Sequence, residues 1–379
     1  MTITDLTGCF ACDGVLHPDL ERTAEGLPQR LPDSVFRTGH ARRQPTAEAE
    51  TMDLGSVIAE DTEELLPRLD EVVDKYRIEQ ELGRGGFAAV FRATHLLMRS
   101  TVALKLLFPR MLRKYPQLAE TLCEEARLTS LIDHPNVVKV LDVTTTPRFT
   151  YIIMEYIEGV SLGRAILRKP IDPANVLKIG IHLCGGLQAA AEQGLIHRDI
   201  KPGNILVART GQAKLVDFGL ARRVDDLRRS NDSSSTGKRI AGTPAYIAPE
   251  QASTPDAADH RADIYSLGAT LYHAAVGRPP FPSGTPMQMI LSHINSPPPP
   301  PENFRPDLPA GLSTILLRML AKRPEDRPQT YVELGEELMR VYRNLRPQTT
   351  TMTPSSSTDP AHKPALMGKL RGLFSPRTP

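Results

Sequence analysis

The spacing of apolar residues changes near residue 160, and this change constrains the fold more than any other feature of the sequence. Between about residues 76 and 157 the chain holds short runs rich in Val, Phe, Tyr and Thr, which are typical of antiparallel strands. Beyond residue 161 helical spacing dominates, with helices predicted at 173–193, 261–276, 311–321 and 329–343. The sequence therefore predicts an α+β fold: a small β-rich lobe of five antiparallel strands and one helix, then a larger, mainly helical lobe.

The segments that flank these lobes differ in composition. Residues 1–72 lack periodicity, apart from a short acidic helix predicted near 60–74, and we expect a mostly disordered extension. Residues 346–379 are rich in Pro, Ser and Thr and are predicted to form a disordered tail. The predicted folded unit is residues 73–345, and its lobes are predicted at 73–155 and 159–345.

Charge and hydropathy argue against several classes of protein. Lys and Arg number 46 against 44 Asp and Glu, so the chain has no general charge for binding nucleic acid. Its start lacks a cationic patch before an apolar core, and the apolar stretch at 176–196 is interrupted by charged and amide residues. We therefore expect a cytoplasmic protein without stable membrane insertion.

Two of the four cysteines stand close together near the start of the chain. Cys9 and Cys12 have the C-x-x-C spacing of half a zinc site, and His17 and His40 are the nearby imidazoles. A closed structural zinc site needs four ligands, and no second C-x-x-C follows. Zinc binding and two unliganded thiols both stay open, with the thiols favoured.

Charged residues and short polar motifs follow in a fixed order within the predicted unit. Lys105 lies inside the strand-like VALK, where a cation is unfavourable unless it meets an anion. Glu125 follows on the helix predicted at 117–132. The remaining motifs are HRDIKPGN at 197–204, VDFG at 216–219 and GTPAYIAPE at 242–250. Their joint order and spacing indicate one site in a cleft between the lobes.

On these motifs, residues 76–342 resemble the protein kinase family, and HRDIKPGN and GTPAYIAPEQ are similar to those of bacterial serine/threonine kinases of eukaryotic type. The resemblance implies transfer of the γ-phosphate of ATP to Ser and Thr hydroxyls of protein substrates, with Mg²⁺ as cofactor. The alternative is a nucleotide-binding scaffold that docks a partner through its N-terminal arm. Asp199 and Asp217 are both present, which argues against that alternative.

The resemblance also implies catalytic and metal-binding roles. Asp199 would accept or orient the proton of the substrate hydroxyl, and Lys201 would place positive charge near the γ-phosphate. Asn204 and Asp217 are oxygen donors, which Mg²⁺ prefers, and they would hold the metal. We expect these four residues to meet in the cleft.

ATP itself is expected between the lobes. ELGRGGFAAVF, residues 81–91, begins like a phosphate-covering loop, but Ala88 stands where the third glycine is expected. The resemblance implies that Lys105 binds the α- and β-phosphates and pairs with Glu125 in the active arrangement. The apolar residues in the list below could equally be plain core, and without the resemblance core would be the first interpretation. The implied nucleotide-binding residues are Leu82, Gly83, Gly85, Gly86, Val90, Ala103, Lys105, Met154, Glu155, Ile157 and Leu206.

The polar segment after VDFG is predicted to regulate activity. A phosphate there would give arginines a partner and order the segment, and Arg198 is one such partner. Autophosphorylation could involve a dimer, and an unregulated, solvated loop is the alternative. Thr243 is expected to form hydrogen bonds with Asp199 and Lys201. The candidate phosphorylation sites are Ser230, Ser233, Ser234, Ser235 and Thr236.

Three more residues have structural roles by the same resemblance. Glu250 is expected to pair with Arg327. Asp263 is expected to anchor the backbone of the catalytic loop, HRDIKPGN.

Overall fold

An antiparallel sheet forms most of the first lobe. The computed structural model describes residues 66–218, 243–255, 258–282 and 284–345. The sheet has the strand order β1-β2-β3-β4-β6-β5, with all neighbours antiparallel. Its strands are β1 (Val72–Val73), β2 (Tyr76–Arg84), β3 (Ala88–His95), β4 (Thr101–Leu107), β5 (Val140–Thr145) and β6 (Thr150–Glu155).

This lobe has one strand and one helix more than predicted. The extra strand, β1, has two residues, too few for a periodic signal, and it turns back on β2 through Asp74 at a φ of 55°. The extra helix, α1 (Pro109–Lys114), begins at a proline, whose missing N–H costs no bond in the first turn. The helix α2 (Leu118–Ser130) is the one that the sequence predicted.

The helix predicted near residues 60–74 is wrong over its described part. Residues 66–74 form turns and β1 instead. Leu66 is buried in the core of the first lobe, and Glu71 pairs with Arg148 at 2.6 Å. These tertiary contacts favour an extended path over a helix, and they show that the lobe's contacts begin before residue 73.

The second lobe is mainly helical, as predicted. Its four predicted long helices are confirmed, and their observed ends differ by at most two residues. Its helices are α3 (Leu162–Ile166), α4 (Pro173–Glu192), α5 (Pro249–Ser253), α6 (His260–Val276), α7 (Pro286–Asn295), α8 (Ala310–Met319) and α9 (Tyr331–Leu345).

Helix α6 lies at the centre of the second lobe. Every residue from Ala262 to Val276 is buried except His273, so this helix must be mostly apolar on all sides. Asp259 caps its N-terminus by accepting a hydrogen bond from the backbone N–H of Arg261. Gly277 ends it in the left-handed conformation, with φ of 88°. Polar residues of this helix, such as the buried Asp263, are therefore held in fixed positions by the surrounding core.

A small second sheet attaches the two lobes to each other. It consists of β7 (Gly159–Ser161), β8 (Ile205–Ala208) and β9 (Ala213–Leu215), in that order. Leu215 in β9 donates to Asn136 O and accepts from Val138 N, both at 2.8 Å. The stretch between α2 and β5 is thus bound to the second lobe, and Asp217 follows β9 at this junction.

Several predictions lie outside the described residues. They include the disorder of residues 1–65 and 346–379 and the state of Cys9 and Cys12. Within the described ranges, no helix is long and apolar enough to cross a membrane.

Candidate active site

Asp199 is held in place by two neighbours from its own loop. Lys201 Nζ donates to Asp199 Oδ2 at 2.6 Å, and Asn204 Nδ2 donates to the same oxygen at 3.0 Å. Asn204 Nδ2 also lies 2.9 Å from the main-chain oxygen of Asp199. These bonds hold the Asp199 side chain, which is 10% exposed, in one orientation. The structure thus brings together Asp199, Lys201 and Asn204, three of the residues for which chemical roles were expected.

Asp263 anchors the backbone of this loop, which confirms its predicted role. Its carboxylate accepts hydrogen bonds from His197 N at 2.8 Å and from Arg198 N at 2.7 Å. Tyr331 Oη donates to it at 3.1 Å. Arg198 has a φ of 64°, a conformation unusual for a residue with a side chain, and the bonds to Asp263 support it. Burial raises the pKa of Asp263 to about 6.

Lys105 reaches across the cleft to Asp217. Lys105 Nζ and Asp217 Oδ1 are 2.5 Å apart, and the Lys105 side chain is 10% exposed. Burial raises the pKa of Asp217, but the charge and hydrogen bond of Lys105 lower it more. The pKa of Asp217 therefore lies below its ordinary value of 3.8, and the carboxylate is ionised at neutral pH.

Glu125 is buried on α2 beside this pair. It lines a small cavity, partly open to solvent, together with Met154, Asp217 and Phe218. In this arrangement the lysine is joined to Asp217. The Lys105–Glu125 pair, which was expected in the active arrangement, stays a prediction.

The residues predicted to surround adenine come together at the junction of the lobes. Ala103 in β4 lies opposite Met154 in β6, and Val90 in β3 lies opposite Lys105. Leu206 from the second lobe packs against the same apolar cluster. Ile157 also joins this cluster, and Leu82 is half-buried in β2. The arrangement supports an adenine site but is equally that of core residues.

The glycine-rich turn between β2 and β3 is open on its outer side. A Cβ added at Gly83 or Gly86 would meet no atom within 4 Å. Gly85 N donates to Ala88 O at 2.9 Å, which closes the turn. Ala88 itself is the first residue of β3, in ordinary strand geometry, and its methyl group is buried in the core. Alanine at this position therefore fits the backbone without strain.

Glu250 and Arg327 form the predicted ion pair. Arg327 donates to both carboxylate oxygens of Glu250, at 2.6 and 2.9 Å. Its other hydrogen bonds go to the main-chain oxygens of Ala321, Arg261 and Lys322. The Arg327 side chain is 0% exposed, so this pair is part of the second lobe's interior.

Only some of the predicted regulatory residues fall within the described part of the chain. Ser230, Ser233, Ser234, Ser235 and Thr236 lie outside the described residues. Gln251 Nε2 donates to the main-chain oxygen of Arg198 at 3.1 Å, which holds that residue's backbone. Among the hydrogen bonds of the described residues, none joins Thr243 Oγ1 to Asp199 or Lys201, and that role stays a prediction.

His197 is a site residue to which the sequence reasoning gave no role. It is fully buried and accepts a hydrogen bond from Asp199 N at Nδ1, so its Nε2 carries the proton and donates to Val216 O at 3.0 Å. Its ring lies 4.6 Å from that of Phe218. His197 thus connects the Asp199 loop to the residues beside Asp217. Its place in HRDIKPGN was the only signal, because its partner is a backbone oxygen.

The fold and this site define the class of protein. Residues 76–338 match the family described as "Protein kinase domain", and the chain belongs to that family. The resemblance seen in the motifs is thereby confirmed.

Individual relatives are bacterial kinases. The serine/threonine-protein kinase PknB of Mycobacterium tuberculosis is 34% identical over 310 residues, which are 80% of this chain and 48% of PknB. Serine/threonine-protein kinase Pkn1 of Myxococcus xanthus is 40% identical over 256 residues, 66% of this chain and 36% of Pkn1. This chain thus spans about half or less of the length of these relatives.

A solved structure shows the same fold. The crystal structure of the kinase domain of Mycobacterium tuberculosis PknI matches with a TM-score of 0.55 and 26% sequence identity. The match covers 73% of this chain and 99% of the PknI domain. The two-lobed kinase fold predicted from the sequence is confirmed.

Proposed function

We propose that the protein transfers the γ-phosphate of ATP to Ser and Thr hydroxyls of protein substrates. The observation that carries the proposal is the arrangement of charges across the cleft, with Asp199 and Lys201 on one side and the Lys105–Asp217 pair between the lobes. Phosphoryl transfer depends mainly on positioning and on charge neutralisation, which such groups provide. The relatives at 34% and 40% identity are named serine/threonine-protein kinases, which supports the same activity.

The residues present fit ATP and Mg²⁺. Open space above Gly83 and Gly86 would let phosphates approach the backbone, and Lys105 offers them a cation. The lowered pKa of Asp217 keeps its carboxylate charged, and Asn204 adds an amide oxygen, so both are ligands that Mg²⁺ prefers. When bound, Mg²⁺ neutralises charge on the phosphates of ATP, the phosphoryl donor.

The chain's own groups would orient the acceptor. Asp199 would accept or align the hydroxyl proton, because Lys201 and Asn204 hold its carboxylate in one orientation. Lys201 would place positive charge beside the γ-phosphate. Lys105 would turn from Asp217 toward the α- and β-phosphates, with Glu125 supporting it in the active arrangement.

Adenine would lie between the lobes. The backbone of Glu155 and Ile157 would hydrogen-bond the base. Met154 would lie between the base and the cavity lined by Glu125 and Phe218, and would limit access to that cavity. Val90, Ala103 and Leu206 would pack on its faces, as would Leu82, since most of these residues already share one apolar cluster. The cytoplasmic location and the folded unit 73–345 remain predictions of the sequence.

The test is transfer from γ-labelled ATP with Mg²⁺ by the native chain and by Asp199→Asn. We expect phosphate on Ser and Thr of a protein substrate with the native chain, and a rate lower by about 10²- to 10⁴-fold with the variant. Binding of ATP and the Tm should be unchanged, because Asn fills the same space. Asp142→Asn, an exposed carboxylate paired with Lys75, is the matched control and should keep the native rate.

A native chain that binds ATP but transfers nothing to a broad panel of protein substrates would contradict the proposal. In that case the nucleotide-binding scaffold, docked to a partner through residues 1–72, would be favoured instead.

Regulation forms a second part of the proposal. Autophosphorylation within residues 230–236 would raise activity, because phosphate there would pair with arginines such as Arg198. The expected result is that alanine at Ser230, Ser233, Ser234, Ser235 and Thr236 together lowers the rate of transfer to substrate. An unchanged initial rate would show an unregulated segment, and a rate per chain that rises with protein concentration would indicate transfer within a dimer.

A further inference from the structure

An ion pair joins the end of β6 in the first lobe to β9 in the small second sheet. Lys214 Nζ lies 2.7 Å from Glu155 Oε1, and the two side chains are 13% and 29% exposed. The same oxygen of Glu155 accepts a hydrogen bond from the backbone N–H of Lys139 at 2.8 Å. Only the backbone of Glu155 is expected to bond the adenine, so its carboxylate has no role in the proposed function.

The location of this pair relates it to the proposed adenine site. Glu155 ends β6, next to Met154, and Lys214 is the middle residue of β9, where it lies opposite Leu206 of β8. In the proposed site, Leu206 packs against one face of the adenine, the floor of the site, and the backbone of Glu155 bonds the edge of the base. The ion pair therefore connects this edge to this floor.

The backbone around the pair reinforces this connection. Glu155 N donates to Lys139 O at 3.0 Å, and the next stretch of chain, Asn136 to Val138, is hydrogen-bonded to Leu215 of β9. Asn136 Nδ2 also donates to Ala213 O at 2.7 Å. Glu155, Lys139 and β9 thus form one connected unit, and Lys214 is the charged group that ties the carboxylate into it.

A second ion pair, between Glu158 and Arg209, is far more exposed to solvent than the Glu155–Lys214 pair. Glu158 and Arg209 are 3.1 Å apart, but their side chains are 66% and 78% exposed. Water and salt screen such a pair, whereas the more shielded Glu155–Lys214 pair is screened less. Only the shielded pair is suited to hold a fixed geometry.

We propose that Glu155 and Lys214 are positioning residues for nucleotide binding, and this rests on the proposed function. Their ion pair fixes the spacing of the adenine pocket before ATP arrives. A pocket that is already ordered binds more tightly, because less freedom is lost on binding. The hydrogen bonds of the two side chains go to each other and to Lys139, so the pair acts on binding and leaves the transfer step at saturating ATP unchanged.

The test measures ATP affinity and turnover separately. In Lys214→Met, which keeps the length of the stem, we expect the Kd of MgATP and the KM for ATP to rise roughly three- to tenfold. The kcat should stay near the native value. In Glu155→Gln the Kd of MgATP should rise by a similar factor, and in the double variant it should rise no further than in either single variant. Lys214→Arg, which keeps the charge, should restore most of the affinity.

Two controls separate the ion pair from its surroundings. Lys139→Ala removes a side chain that is 62% exposed but keeps the backbone N–H that Glu155 accepts, and Glu158→Gln removes the exposed pair. Both should bind MgATP like the native chain. A purely structural role would lower the Tm of Lys214→Met and leave its ATP affinity unchanged, and that result would overturn the proposal.

The remaining outcomes are also decisive. Tighter ATP binding in Lys214→Met would show that the pair restrains the pocket, which contradicts the proposal. Equal binding by Lys214→Met and a binding-competent native chain would overturn the positioning role alone. If the native chain bound no MgATP, the proposed function would fail, and this inference with it.

Discussion

The two lobes hold their site residues by different means. In the second lobe, Asp199 is fixed by Lys201 and Asn204, and its loop is anchored by the fully buried Asp263. In the first lobe, the turn at Gly83–Gly86 is exposed, and Lys105 finds its partner across the cleft.

This difference shows which part of the site depends on a ligand. Buried, hydrogen-bonded charges keep the geometry of the second lobe whether or not anything is bound. In the first lobe, Lys105 is held by a charge in the cleft, so under the proposed function we expect a phosphate of ATP to replace Asp217 as its partner. Substitutions of the buried residues that support the second lobe should therefore act on stability, whereas substitution of Lys105 should act on rate.

The largest effect is expected for Arg327→Met. It leaves Glu250 without its buried partner and three main-chain oxygens without a donor, so the free energy of unfolding should fall by about 3–5 kcal/mol. Urea unfolding measures this change. Arg318→Met, which breaks the half-exposed contacts to Glu333 and Glu337, is the matched control and should cost less than about 1 kcal/mol. Equal losses would mean that burial does not distinguish the two sites.

Lys105→Met should separate rate from stability. Transfer should slow by about 10²- to 10³-fold, because a charge that stabilises the transition state is lost. The Tm should change little, since Met fills the same apolar strand. Lys75→Met removes an exposed lysine of the same lobe, paired with Asp142, and should keep the native rate. A large fall in Tm with Lys105→Met would show that Lys105 is a structural residue instead.

Asp263→Asn tests the anchor of the catalytic loop. The amide has one acceptor oxygen, so one backbone N–H of His197 or Arg198 loses its partner, at a cost of about 1–3 kcal/mol in the free energy of unfolding. Asp307→Asn, which alters a carboxylate that is 74% exposed, should have no measurable effect.

The same variant has an expected pH dependence. Since burial raises the pKa of Asp263 from 3.8 to about 6, its stabilising contribution is full below pH 3.8 and is lost as the pH rises through about 6. The native chain therefore gains stability from this group on acidification, and Asp263→Asn should cost more at pH 5 than at pH 7.5. The opposite trend in urea unfolding would show that the folded state favours the charged carboxylate.

The smallest effect is expected for Ala88→Gly, which restores the third glycine of the loop. The affinity for ATP should change less than about twofold, because alanine and glycine can both adopt the strand backbone at position 88. The free energy of unfolding should fall by about 0.5–1 kcal/mol through the greater freedom of glycine. A tenfold gain in ATP affinity would show that Ala88 weakens the loop.

The sequence predicted the elements that have many residues and a regular period. The long helices of the second lobe and the main strands of the first lobe were found in this way, and the motifs identified Asp199, Asn204 and Asp217. The strand β1 was missed because two residues are too few to show an alternating pattern. The helix α1 was missed because its six residues are too few to show helical periodicity. Leu66 was missed because its burial depends on contacts with distant residues.

What the sequence determined by itself is the family, the two lobes and the chemical type of each site residue, because local patterns and motif order carry this information. Only the tertiary structure decided which charges meet. Glu155 and Lys214 are 59 residues apart, Lys105 and Asp217 are 112 apart, and His197 bonds a backbone oxygen. Nothing in the local sequence specifies such pairs, since they form only when packed strands and helices bring distant segments together.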